Sequence, residues 1–151
     1  ARFEGRASSG LYTTLALSYA KGDEILPDGT RVPLSTIDPL KLVAGIGYRE
    51  PQRGRFGGQL IMTHSARKEA SRTEGVCAPD ECYRPEGFTI LDATAFVRIV
   101  EGLTLRAGVF NILDEKYAWW SDVRGLASTS TVTDAYTQPG RNVSASLSFR
   151  F

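Results

Sequence analysis

Two cysteines, a single histidine and a pair of adjacent tryptophans are the residues of this 151-residue sequence best equipped for chemistry. Cys77 and Cys82 are separated by Ala-Pro-Asp-Glu, and His64 is the only imidazole. A structural zinc site needs four Cys or His ligands, which this set does not supply. The spacing suits a local disulfide closing a small surface loop, and hence an oxidising compartment: periplasm, cell surface or outside. Two unpaired thiols in an acidic loop remain the alternative. Trp119-Trp120 opens a long polar stretch, where tryptophan serves either as a binding anchor or as a membrane-interface belt. Tyr83, Tyr117 and Tyr136 carry the same two readings. Gly45-Ile46-Gly47 lacks the third glycine and following helix of a nucleotide-binding loop. Nothing combines a base, a nucleophile and a pocket, so an enzyme is not expected.

Composition narrows the class further. Eighteen Lys and Arg against 17 Asp and Glu leave a net charge of +1, which excludes recruitment of nucleic acid by a global field. Apolar residues make up 42% and the mean hydropathy is −0.19, as in a soluble globular chain. The longest uncharged stretch, Ala7 to Ala20, has 14 residues, too few for a spanning helix. A transmembrane β-barrel is not excluded, because its lipid-facing and lumen-facing residues alternate and its average stays polar.

Alternation is what the sequence shows. Val143, Ala145, Leu147, Phe149 and Phe151 alternate with Asn142, Ser144, Ser146, Ser148 and Arg150. Leu103, Leu105, Ala107 and Val109 face one way, with Thr104, Arg106, Gly108 and Phe110 facing the other. Leu91, Ala93, Ala95, Val97 and Ile99 alternate with Asp92, Thr94, Phe96 and Arg98. Similar runs begin near Phe3, Leu11, Lys41 and Phe56, for about seven strands. Arg49, Arg67, Asp92, Arg98 and Arg106 fall on the polar, lumenal side. His64 falls with Met62 and Ala66 on the lipid-facing side, as an interfacial or structural residue.

The connections alternate too. Ser8-Ser9-Gly10, Pro51 to Arg55 and Glu101-Gly102 are short, whereas Gly22 to about Pro39, Ala70 to Gly87 and Lys116 to Gly140 are long and polar. All long loops therefore lie at one end of the sheet, as in outer-membrane barrels with short periplasmic turns and longer extracellular loops. A secreted or periplasmic β-sandwich that binds a ligand through Trp119-Trp120 is the competing reading.

The stretch Ala107-Gly108-Val109-Phe110-Asn111-Ile112-Leu113-Asp114-Glu115-Lys116-Tyr117 resembles the penultimate strand of TonB-dependent outer-membrane receptors. Phe149-Arg150-Phe151 resembles their terminal signal, read by the barrel assembly machinery. Trp120-Ser121-Asp122-Val123-Arg124-Gly125-Leu126, Tyr136-Thr137-Gln138-Pro139-Gly140-Arg141-Asn142 and Ile37-Asp38-Pro39-Leu40-Lys41 are similar to the haem/haemoglobin receptor branch. The resemblance implies an all-β, antiparallel transmembrane barrel of about 22 strands around a plug, driven by the TonB complex. About seven strands cannot close such a barrel, and an odd number cannot meet antiparallel. Residues 1–151 are thus expected to form a C-terminal barrel segment without plug or TonB box. Implied partners are outer-membrane lipid, the remaining barrel and plug, the TonB complex and the assembly machinery. Haem is the implied transported ligand, taken free or from a haemoprotein such as haemoglobin. The resemblance argues against a passive pore. Weak loop candidates for ligand contact are Trp119, Trp120, Tyr83 and Tyr136, with Phe149 and Phe151 as assembly signal.

Overall fold

A computed structural model describes residues 1–150. Seven strands form one antiparallel sheet: β1 (Arg2–Arg6), β2 (Leu11–Ser18), β5 (Lys41–Arg49), β6 (Phe56–Ser65), β7 (Phe88–Val100), β8 (Leu103–Phe110) and β9 (Asn142–Phe149). The remaining two, β3 (Asp23–Ile25) and β4 (Arg31–Pro33), pair only with each other inside the first long loop. In the main sheet every strand lies beside its sequence neighbours, in the order β1-β2-β5-β6-β7-β8-β9. The edges β1 and β9 do not meet, so the sheet is an open wall. Its β5 and β6, with 9 and 10 residues, match the length needed for a tilted membrane strand.

Register converts the alternation of single strands into two faces. Directly opposed residues of an antiparallel pair point the same way. One row runs Thr13, Ile46, Leu60, Ala93, Val109 and Val143, and another runs Tyr48, Gly58, Ala95, Ala107 and Ala145. The opposite face carries Tyr12, Gly47, Gln59, Thr94, Gly108 and Ser144 in one row. Apolar residues on the first face remain open, with Phe3 62% and Val143 77% exposed. Among the described residues no second sheet covers that face, so the β-sandwich reading has no counterpart in the fold.

The short turns sit at one end and residues 19–40, 66–87 and 111–141 at the other. Gly10 and Gly102 occupy the left-handed region, φ 94° and 81°. A Cβ at either position would stand 2.2 Å from the Arg49 carbonyl or 2.4 Å from that of Arg150, so both turns require glycine. A bulge at Ile99 shifts the register between β7 and β8 just before the second turn.

β7 starts at Phe88, three residues before the alternation suggests. Phe88 and Ile90 are apolar residues on the polar face, opposite Ser65 and Thr63. Both are buried, and Tyr117 and Trp119 of the third loop lie against the Phe88 ring. The first loop likewise contains the hairpin β3–β4, signalled by Pro27-Asp28-Gly29. Asp28 Oδ1 accepts the Thr30 N–H at 2.8 Å across its turn.

Candidate functional site

The three long loops fold on one another as a crown above the wall. Its supports start where β8 leaves the sheet. Asn111, 2% exposed, takes a left-handed φ of 50°, a conformation that asparagine tolerates. Its Nδ2 donates to the Glu115 carbonyl at 2.8 Å and to that of Pro139 at 3.2 Å, and its Oδ1 accepts the Glu115 N–H at 2.9 Å. Asp92 of β7 accepts the Asn111 N–H at 2.8 Å, and Asp114 accepts that of Arg141 at 2.7 Å. The third loop is thereby pinched at its neck, where the chain leaves β8 and returns toward β9.

From that neck the loop lays aromatic residues across the inner wall. Phe88 lies 4.3 Å from the Tyr117 ring and 4.8 Å from that of Trp119. Lys41 Nζ stands 4.0 Å over Trp119, a cation–π contact. Burial, and then the Asp92 charge, pushes the Tyr117 phenol up from its ordinary value.

Trp120 points elsewhere. It starts α1 (Trp120–Val123), is 4% exposed, and packs with Cys82, Ala118 and the fully buried Val123. Its Nε1 donates to the Ser35 carbonyl of the first loop at 2.7 Å. Lys68 of the second loop is buried beside it, with Nζ 5.4 Å from the Trp120 ring and donating to the Ile37 carbonyl. Burial holds the Lys68 ammonium below its ordinary pKa; Arg72 adds to this, and Asp38 opposes it. Arg72 binds Asp23 at 2.7 Å and also donates to the Gly22 carbonyl.

The second and third loops are laced along their backbones. Cys82 bridges to Ala127, the Tyr83 N–H donates to the Leu126 carbonyl at 2.8 Å, and the Ser128 N–H donates to that of Glu81 at 2.7 Å. Cys77 and Cys82 are joined by a disulfide, so the alternative of two free thiols is not realised.

The residues singled out in the sequence therefore have distinct placements. Trp119 is half-buried on the inner wall, Trp120 is interior, and Tyr83 packs against the Trp120 cluster. Tyr136 ends a single 3-10 turn and remains 40% exposed. His64 stays on the lipid-facing row near the loop end of β6, its Nδ1 2.9 Å from Thr89 Oγ1. Phe149 closes β9 opposite Leu103, whereas Phe151 lies outside the described residues. Among the described residues no group of three His, Cys, Asp or Glu is placed to hold a metal ion. Sequence reasoning missed Asn111, Lys68 and Ser35. Asn111 lay in plain view within a recognised stretch, but the other two carry no local signal.

Below the crown, the lumenal face holds a groove of about 410 Å³ lined by Tyr12, Gln59, Thr94, Phe96, Arg106 and Ser144, among others. Tyr12 lies flat over Gly47, where a Cβ would come within 2.3 Å of its ring, and its hydroxyl donates to Gln59 Oε1 at 3.2 Å.

Comparison with known proteins extends these observations. No protein-family model matches the chain. Hemoglobin-binding protein A of Haemophilus influenzae is 33% identical over an alignment covering 94% of this chain and 15% of that protein. Hemoglobin-haptoglobin utilization protein B of Neisseria meningitidis is 28% identical, with coverages of 94% and 19%. Lactoferrin-binding protein A of the same species is 28% identical, with coverages of 97% and 17%. The chain thus spans less than a fifth of the length of these curated relatives. Their names describe binding and utilization proteins, not enzymes.

Among solved structures, the copper transporter OprC superposes with a TM-score of 0.71 at 19% identity, covering 98% of this chain and 22% of that one. The ferric enterobactin receptor of Pseudomonas aeruginosa gives 0.66 at 17% identity, with coverages of 98% and 21%. With its two-faced wall and loops gathered at one end, the chain belongs to the TonB-dependent outer-membrane receptors, as a segment of their β-barrel.

Proposed function

We propose that this chain is the C-terminal part of the barrel of a receptor that takes up haem or iron from a host iron-carrying protein, with haemoglobin the first candidate. The observation that carries this reading is the crown: three loops at one end of a lipid-facing wall, folded together, in a chain 33% identical to a haemoglobin-binding protein. In this reading the crown faces the outside and the short turns face the periplasm. The disulfide Cys77–Cys82 suits that oxidising side. Haem is cargo rather than a resident cofactor. The plug, the remaining strands and the contact with the TonB complex belong to other parts of the receptor. Trp119, Tyr83 and Tyr136 are the candidate ligand contacts that retain accessible surface, whereas Trp120 does not.

The test is binding of haemoglobin, haemoglobin–haptoglobin and lactoferrin to cells displaying the whole receptor, with growth on each as sole iron source. Saturable binding of haemoglobin with haem-dependent growth supports the reading; binding of none of the three sinks it. Phe149 and Phe151 are assigned to recognition by the barrel assembly machinery. Deleting Phe151 from the whole receptor should reduce its insertion into the outer membrane, and unchanged insertion removes that role.

A further inference from the structure

The fastenings of the crown converge on one side chain. The Trp120 indole donates to Ser35 of the first loop, 85 residues away in sequence. It lies beneath the Lys68 ammonium of the second loop, which itself reaches the Ile37 carbonyl of the first. It packs on Cys82 of the second loop and on Ala118 and Val123 of the third. A ring only 4% exposed offers a docking protein almost no surface. Its contribution must pass through the loops it joins.

We propose that Trp120 is a positioning residue that makes the three loops one cooperatively opening unit, so that a carrier protein meets a preformed surface. Loops ordered separately would each lose conformational freedom on binding, and a shared core spends that entropy during folding instead. Cooperative units of this kind open together, because removing the shared centre removes the partner of every loop at once. Among the described residues, the ring contacts of its neighbour Trp119 are to Phe88, Tyr117 and Lys41, at the inner wall.

Limited proteolysis of the whole receptor in outer-membrane vesicles, read by mass spectrometry, tests the coupling. Trp120→Ala should raise cleavage on the order of tenfold or more within residues 19–40, 66–87 and 111–141 alike, with the strands still protected. A rise confined to 111–141 overturns the proposal. Should that variant fail to insert, Lys68→Ala reads the same centre from the second loop. Cleavage must then rise in the first and third loops too, and a rise in the second alone overturns the proposal.

Trp120→Phe keeps a ring and removes the N–H. It should raise cleavage less than Trp120→Ala does, with residues 19–40 the most affected because they lose the Ser35 bond, and weaken haemoglobin binding less than Trp120→Ala, since buried packing tolerates a smaller apolar ring better than its deletion. Protected loops with binding abolished would mean that the indole itself is the contact, which also overturns the proposal. This binding arm rests on the function proposed above. If the parent receptor binds no haemoprotein, that function falls, while the cleavage pattern still decides the coupling.

Discussion

The wall and the crown solve the burial problem in opposite ways. Along the wall, Leu15, Ile46, Leu60, Val97 and Leu147 stand on one face of a single sheet and remain exposed. In the crown, a few residues around Val123 and Trp120 are shut away from solvent by irregular backbone. The wall relies on an apolar medium outside the chain, whereas the crown carries its own core. A membrane protein with loops in water needs both, since lipid solvates the strand face but does nothing for loops standing above it. Trp119 and Trp120 mark the border: one ring lies against the wall and its neighbour seals the crown.

Substitutions that exchange these solvents should break the contrast most strongly. Leu60→Arg puts a charge in the middle of the lipid-facing row and should cost the whole receptor about 2–4 kcal/mol in denaturant unfolding from bilayers. Ser144→Arg on the lumenal face should stay within about 0.5 kcal/mol; equal costs would mean that the two faces do not see different media. At the neck, Asn111→Ala orphans three backbone groups and places alanine at positive φ. A cost of roughly 2–3 kcal/mol to the third loop follows, read as hydrogen exchange of residues 111–141. The paired replacement Cys77→Ser and Cys82→Ser releases a five-residue closure worth about 2 kcal/mol in loop entropy. That loss should appear in the exchange of residues 66–87 and leave the strands unchanged.

Two titrations sharpen the comparison at smaller scale. Burial favours the neutral Lys68 amine, so the opened crown binds more protons between the lowered pKa and the ordinary 10.5. Crown stability should therefore rise with pH across that window and level off above it. Tyr117 has the opposite sign: its raised pKa makes stability fall as pH climbs past 10.0. Subtracting the protease-protection profile of Lys68→Met isolates the lysine; identical profiles would remove it as a source of pH dependence. At the other end of the wall, Glu50 accepts the N–H groups of Arg55, Arg53 and Gln52, which holds its carboxylate below the ordinary 4.5. The order that this carboxylate confers on the 50–55 turn should be complete above 4.5 and lost as pH falls through the lowered value. Exchange of those amides against pH reads this, with Glu50→Gln expected to show no such step.

These contrasts also explain what the sequence reveals. In the wall, each residue's face follows from its neighbours, because a strand repeats every two residues. The faces of Val143, Leu105 and even the solitary His64 could be assigned before any coordinates. Phe88 broke the rule because rings of the third loop, not lipid, cover its side of the sheet. In the crown no period exists. The Lys68–Ile37, Trp120–Ser35 and Tyr83–Leu126 contacts join segments whose spacing obeys no repeat. The hairpin β3–β4 turns at Pro27-Asp28-Gly29, yet in sequence Gly22 to about Pro39 reads only as a long polar loop. The tryptophan pair advertised a surface role, yet alternation says nothing about which of two adjacent rings turns inward once the chain leaves the sheet.

The neighbour-to-neighbour strand order carries a consequence for how such a molecule is made. Within this sheet each strand can be laid beside the one before it, and none of its pairings needs a partner from a remote part of the chain. Pairing by short closures is the fast route, whereas contacts that span many residues come late. The wall can thus be stitched hairpin by hairpin, while the bond from Trp120 to Ser35 must await the arrival of four intervening strands. Seating of the Trp120 indole on Ser35 should therefore report that β5 to β8 beneath it already lie in their proper order.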